Sequence, residues 1–294
     1  MAGLTQSAPP PTADAGARPT SRRRTAAPLL LRSVYLKTMR DQRRSLIGWS
    51  IGIALIVLVE AAVWPSFKDM PAMDDLMSQY PDYMKDLFDI ESMTSGLGFM
   101  NAELFTLLLP ALFIIHGIGR GARMIAGEEE AGTLDVLLVT PVSTTRLVLS
   151  KALALITAST VLGLVLWLVT LACSLVIGMG IDAGEAATGV LAQVLLGVEF
   201  GVLALAAGAA TGRRSLAVGI PAALAVAAYV LHAVSLLIPE VDPWQELSPI
   251  HQALADGPLG AGLPASYLWL VLGTLVVLVA SLRLLDRRDI AAPG

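Results

Sequence analysis

Long apolar runs divided by short polar stretches dominate this chain. Six of the runs, near 46–64, 99–118, 150–178, 188–210, 215–238 and 265–282, suit a hydrocarbon core about 30 Å thick, which takes roughly 20 helical residues to cross. None of them alternates apolar and polar positions as a barrel strand does, and backbone groups in lipid must be satisfied within their own segment. The pattern therefore predicts an all-α polytopic membrane protein with six transmembrane helices. Ahead of the first run, Leu31, Val34, Tyr35, Thr38 and Met39 recur at helical spacing, while Arg32, Lys37, Arg40, Arg43 and Arg44 fall largely elsewhere on the wheel. That predicts a basic helix lying in the membrane interface, with a helical extension of the first span as the alternative.

Composition agrees with the spans. Mean hydropathy is +0.70, with 55% hydrophobic and 15% charged residues, more apolar surface than one soluble core of 294 residues could bury. Orientation follows from the basic residues, which are retained on the cytoplasmic side of span ends. Eighteen of the twenty Lys and Arg fall in the N-terminal segment, the second and fourth loops and the tail, and only Lys68 and Lys85 lie on the other side. Both termini are thus expected in the cytoplasm, in a plasma (inner) membrane. The net charge of −4 adds little, because acidic residues concentrate in the two larger outer loops, and no nucleic-acid footprint is visible.

Residues 1–27, rich in Ala, Pro, Thr and Ser without an apolar period, are expected to form a disordered cytoplasmic tail, leaving 28–294 as the transmembrane domain. In the outer loop after Pro65, Leu76, Met77, Tyr80, Met84, Leu87 and Phe88 predict a short amphipathic helix. Pro239, Pro243, Pro249, Pro258 and Pro264 predict an irregular outer loop before the last span. Cys173 is the single cysteine, which excludes an intramolecular disulfide and a thiolate metal site.

The most distinctive stretch is GEEEAGTLDVLLVTPVSTTRLVLSK at 127–151. Glu128, Glu129 and Glu130 are expected to begin a helix in which Leu134, Leu137 and Leu138 share a face, with the acids at its start, where they suit the dipole. Pro141 ends that helix, and Ser143 is expected to cap the next one. The result is a cytoplasmic helix–break–helix elbow between spans 2 and 3, shaped to be gripped by a partner; a merely solvated turn is the plainer reading of such a charge run.

This insert resembles the permease subunits of ABC-2 type ABC transporters, whose pattern is matched here by Glu128 to Glu130, Gly132, Thr133, Leu134, Asp135, Leu137, Leu138, Thr140, Pro141, Val142, Ser143, Arg146 and Lys151. LRSVYLKTMRDQRRSLIGW at 31–49 and AATGRRSLAVGIPAAL at 209–224 are similar to that family too. The resemblance implies a six-span half-transporter that pairs with a second permease and two cytoplasmic ATPase subunits to export a substrate. It implies that the short helix after span 2 couples to the ATPase, through Glu128, Glu129, Glu130, Gly132, Thr133, Asp135, Pro141 and Arg146. Thr145 stands beside Arg146 where the family often has a second basic residue. The chain itself has only Lys37, Lys68, Lys85 and Lys151, none of them after a glycine, so it has no Walker A loop with which to hold ATP. No cofactor is expected on this chain, ATP being bound by the partner.

Within the spans, ionisable residues are costly enough to mark function. Glu199 lies near the middle of the fourth span, between Gly197 and Gly201, whose spacing of four allows close helix approach. It is the candidate translocation residue, the plainer reading being a neutral carboxyl bonded to a neighbouring helix. Two other functions are open to the sequence. A proton-coupled secondary transporter would use Glu199 but would leave the 127–151 insert without a purpose. An intramembrane serine hydrolase would use Ser50, in Gly48-Trp49-Ser50-Ile51-Gly52, with His116, although a nucleophile elbow needs a strand-to-helix turn. A hydrophobic or amphiphilic cargo such as a drug, antibiotic or lipid-like molecule is the expectation for an exporter with so apolar a pathway.

Overall fold

The computed structural model describes residues 3, 34–68, 75, 78–88, 95–132, 143–255, 257–260 and 262–286. Among them are six helices long and apolar enough to cross a membrane. They are α1 (Val34–Val63), α2 (the helical run Gly96–Glu130), α3 (Thr144–Ile177), α4 (Ala183–Thr211), α5 (Arg214–Ser235) and α6 (Tyr267–Asp286). No strand occurs among the described residues. One end of the bundle gathers Lys37, Arg120, Arg123, Lys151, Arg213, Arg214 and Arg283 and is called the arginine-rich end below.

The expected basic helix is not a separate element. Residues 34–44 are the first turns of α1, which runs unbroken for 30 residues, because no proline occurs between Val34 and Val63. Gln42, 3% exposed, fixes this part of α1 by donating Nε2–H to the carbonyl of Ala154 in α3 at 3.1 Å. Apart from residue 3, the expected disordered tail lies outside the described residues. So do Leu76 and Met77 of the expected loop helix, whose later part is present as the helix Asp82–Phe88.

α4 is the axis of the bundle. Two-thirds (67%) of its most apolar window is buried, against 17% for those of α1 and α6, and it touches α2, α3, α5 and α6. Its small residues explain the position. A Cβ on Gly117 or Gly121 of α2 would overlap the carbonyl oxygen of Gly197 or Gly201 of α4, so the two backbones meet with no side chain between them. A capping box starts α4, with Asp182 Oδ1 accepting from Gly184 N–H at 2.7 Å and Glu185 Oε2 from Asp182 N–H at 2.9 Å, satisfying donors that the first turn leaves free.

α2 is not a regular helix throughout. It contains two π-turns, Asn101–Phe105 and Arg123–Gly127, which loosen the ladder of backbone hydrogen bonds. In each, a fully buried side chain from another helix bonds a carbonyl. Gln193 of α4 donates to Phe105 O at 3.1 Å, and Lys151 of α3 donates to Met124 O.

The segment between α5 and α6 departs from the irregular loop expected there. It holds a 3₁₀ turn, Asp242–Leu247, and a helix, Pro249–Leu254, capped by Ser248. Ser248 Oγ also donates to Ala228 O at 2.8 Å, and Ile250, Ala253 and Leu254 are buried. The segment thus folds back into the bundle, and Asn101 holds its far part. Its Nδ2 donates to Leu259 O at 3.1 Å while its Oδ1 accepts from Leu259 N–H at 3.0 Å.

Candidate functional site

The acidic triplet stands at the arginine-rich end of α2. It closes the helical run Gly96–Glu130 and is followed by a turn in which Gly132, at φ +64°, bonds back to Glu129 O. The acids therefore sit at a helix C-terminus rather than at the helix start expected from the sequence, where the dipole opposes them. Cations and an N–H offset this. Glu128 Oε2 accepts from Lys151 Nζ at 2.6 Å, and Glu128 Oε1 faces Lys37 Nζ of α1 at 3.3 Å. Glu130 Oε1 accepts from the backbone N–H of Arg214 at 2.8 Å, at the start of α5, which supplies that helix with an N-terminal acceptor.

The three carboxylates are consequently not equivalent solvated charges. Glu128 is one-fifth exposed and its partner Lys151 is wholly buried; Glu130 is exposed and Glu129 half-buried. Reversing all three would put a cation against the buried ammonium, so that change cannot serve as a surface-only test of partner binding. Ser143 caps α3 as expected, its Oγ accepting from Arg146 N–H at 3.3 Å. Arg146 is exposed. Thr133, Asp135 and Pro141 lie outside the described residues. Glu130, Gly132, Ser143 and Arg146 are exposed at the chain ends that bracket residues 133–142.

Glu199 does not share the face of its flanking glycines. Gly197 and Gly201 face α2, whereas Glu199, about 200° further round α4, turns to the other side. A Cβ at Gly273 of α6 would lie 2.7 Å from Glu199 Oε1, so this glycine leaves room for the carboxyl. Oε2 has no hydrogen-bond partner among the described residues. The carboxyl lines a cavity of about 290 Å³ whose other walls include Phe200, Leu203, Leu231, Val277 and, from the folded-back segment, Ser248. One carboxyl and one hydroxyl in an apolar cavity suit a molecule with a long apolar body and a polar or cationic group.

The local backbone at Ser50 does not match a hydrolase. Ser50 lies inside α1, without the strand-to-helix turn of a nucleophile elbow. His116 packs its ring on Trp49 at 5.4 Å, with neither nitrogen bonded among the described residues. A Cβ on Gly48 or Gly52 would meet nothing within 4 Å among the described residues. No group of three or more metal-ligating side chains occurs among the described residues.

Sequence reasoning placed Lys151 in the motif but not in the site, and missed Gln193, Asn101 and Gly273. A charged residue inside the third apolar run was the available signal for Lys151. No curated protein matches the chain. The profile of the family described as ABC-2 family transporter protein matches residues 32–290, which takes in all six long helices and both ends of the bundle. The chain therefore belongs to the ABC-2 transporter family, and is a multi-pass permease, a component of membrane transport rather than an enzyme.

Proposed function

We propose that this chain is the membrane-spanning half of an ABC exporter, driven by ATP bound and hydrolysed on a separate ATPase subunit that docks at the arginine-rich end. That end is cytoplasmic in this reading, as the distribution of Lys and Arg favours, and the membrane is the plasma (inner) membrane. A second permease subunit completes the pathway. The observation that carries the reading is the pair of exposed helix ends at Glu130–Gly132 and Ser143–Arg146, which bracket the motif segment within the matched family region. The tagged chain, purified from its native membrane, is expected to bring an ABC ATPase and a second permease with it, and to hydrolyse no ATP once stripped of the ATPase. Nucleotide turnover by the stripped chain, or native complexes without an ATPase, would overturn the reading.

Glu199 is the residue proposed to meet cargo, an amphiphilic or hydrophobic molecule. Its carboxyl oxygen without a partner, facing an otherwise apolar cavity, supports this role and equally a proton-coupled transporter. Glu199→Gln keeps the shape and removes the charge. Transport of a cationic amphiphile is expected to fall about tenfold, as for loss of a charged partner, with assembly and ATP hydrolysis intact. Equal transport of cationic and neutral probes by the variant would leave Glu199 structural. Persistence of wild-type transport with a hydrolysis-dead ATPase would favour proton coupling.

A further inference from the structure

Lys151 is the one described cation with a fully buried side chain, and it sits where α3 crosses the end of α2. A buried ammonium demands an anionic partner and hydrogen bonds for its donors. Both come from one short stretch of α2, the carbonyl of Met124 and the carboxylate of Glu128. These positions are four residues apart, so they stack on one side of the helix. The stretch between them is the π-turn Arg123–Gly127, the kind of distortion that gathers at functional places in helices. The second carboxylate oxygen of Glu128 faces Lys37 of α1, which also faces Asp41 at 3.7 Å. One carboxylate therefore ties α2 to both α1 and α3.

We infer that Lys151 and Glu128 form a part-buried clip that makes the arginine-rich ends of α2 and α3 move as one unit, so that Lys151 is a positioning residue for energy coupling. The geometry makes the clip all-or-none. A slide of α2 along α3, or regularisation of the π-turn, would take both acceptors from the ammonium together and strand a cation in the interior, which the protein disfavours strongly. Displacement of the exposed ends of α2 and α3 by a docked ATPase is then carried into both helices and, through Lys37, into α1. Without the clip the ends can shift while the spans stay still.

The inference rests on the exporter reading above, and the wild-type complex separates the two failures. If wild-type permease and ATPase together transport nothing at the expense of ATP, the exporter reading fails. If they do, three variants are compared in the intact complex: Lys151→Met, Glu128→Gln, and Lys151→Met with Glu128→Leu, the last removing both charges so that neither is stranded. Transport per ATP hydrolysed is expected to fall about tenfold in each, in the range of ordinary coupling between sites, while ATPase association and hydrolysis persist in Lys151→Met. The double variant should be no worse than the single ones, because the pair acts as one unit. Wild-type transport per ATP in the assembled double variant would overturn the inference, as would loss of assembly in all three variants, since the pair would then serve the fold alone.

Discussion

Gly121→Val is expected to abolish recovery of folded protein from the membrane. α2 and α4 approach so closely at this point that even a methyl on Gly121 would overlap the carbonyl of Gly201, and Gly117 stands in the same relation to Gly197. The obstructing atoms are backbone, which no rotamer change can move aside. Overpacking an ordinary core costs about 1–3 kcal/mol, and here α2 must also be pushed away from the most buried helix, taking Gln193 from Phe105 O with it. The loss should therefore exceed that range. Gly119→Val supplies the control, because a Cβ on Gly119 of the same helix would meet nothing within 4 Å among the described residues. Size-exclusion profiles and thermal midpoints in detergent should be wild-type for Gly119→Val, while Gly121→Val gives aggregate. A monodisperse Gly121→Val protein with the wild-type midpoint would show that the contact is not as close as described.

Asn101→Leu is the second change with a large expected effect. Asn101 is 2% exposed and satisfies both backbone groups of Leu259, itself buried. Leucine has similar volume and offers neither a donor nor an acceptor. The N–H and C=O of Leu259 would be left unpaired away from water, at about 1–3 kcal/mol for each group. Release of the segment avoids that cost, because water then satisfies both. Limited proteolysis from the side of the membrane bearing residues 257–260 should cut Asn101→Leu there far faster than wild type. Asn101→Asp, which keeps the acceptor and loses the donor, should fall between. Equal protection of all three would mean that side-chain packing of Leu259, not the Asn101 clamp, holds the segment.

Much of this molecule was legible in its sequence because lipid enforces simple rules. Each of the six apolar runs became a helix, and Ser143 capped α3 as its residue type and position suggested. The acidic triplet was misplaced at a helix start because the signal for the helix it actually ends was hidden. No residue type announces the π-turn at Arg123–Gly127, and without it α2 reads as ending near Ile118. Lys151 finds Glu128 across 23 residues of chain, a partnership that local spacing does not encode. Glu199 is a different kind of case. At 100° per residue it could not share a face with Gly197 and Gly201, so the helical wheel already separated the two. The folded-back segment was similarly readable at Ser248-Pro249, a cap followed by proline at the first helical position, but five prolines drew attention to irregularity instead.

The unequal helices have one more consequence. α1 and α3, with 30 and 34 residues, are about 45 and 51 Å long, whereas α5 and α6, with 22 and 20 residues, are about 33 and 30 Å. The extra length of α1 and α3 carries Lys37, Arg40, Arg43, Arg44, Arg146 and Lys151 toward the arginine-rich end. α5 and α6 have no such slack. In bilayers of longer acyl chains, helices of this length are expected to stand upright or to draw the lipid thin around them. The same packing that fixes α4 at the centre thus leaves the two shortest spans, like α1, largely uncovered by the rest of the chain.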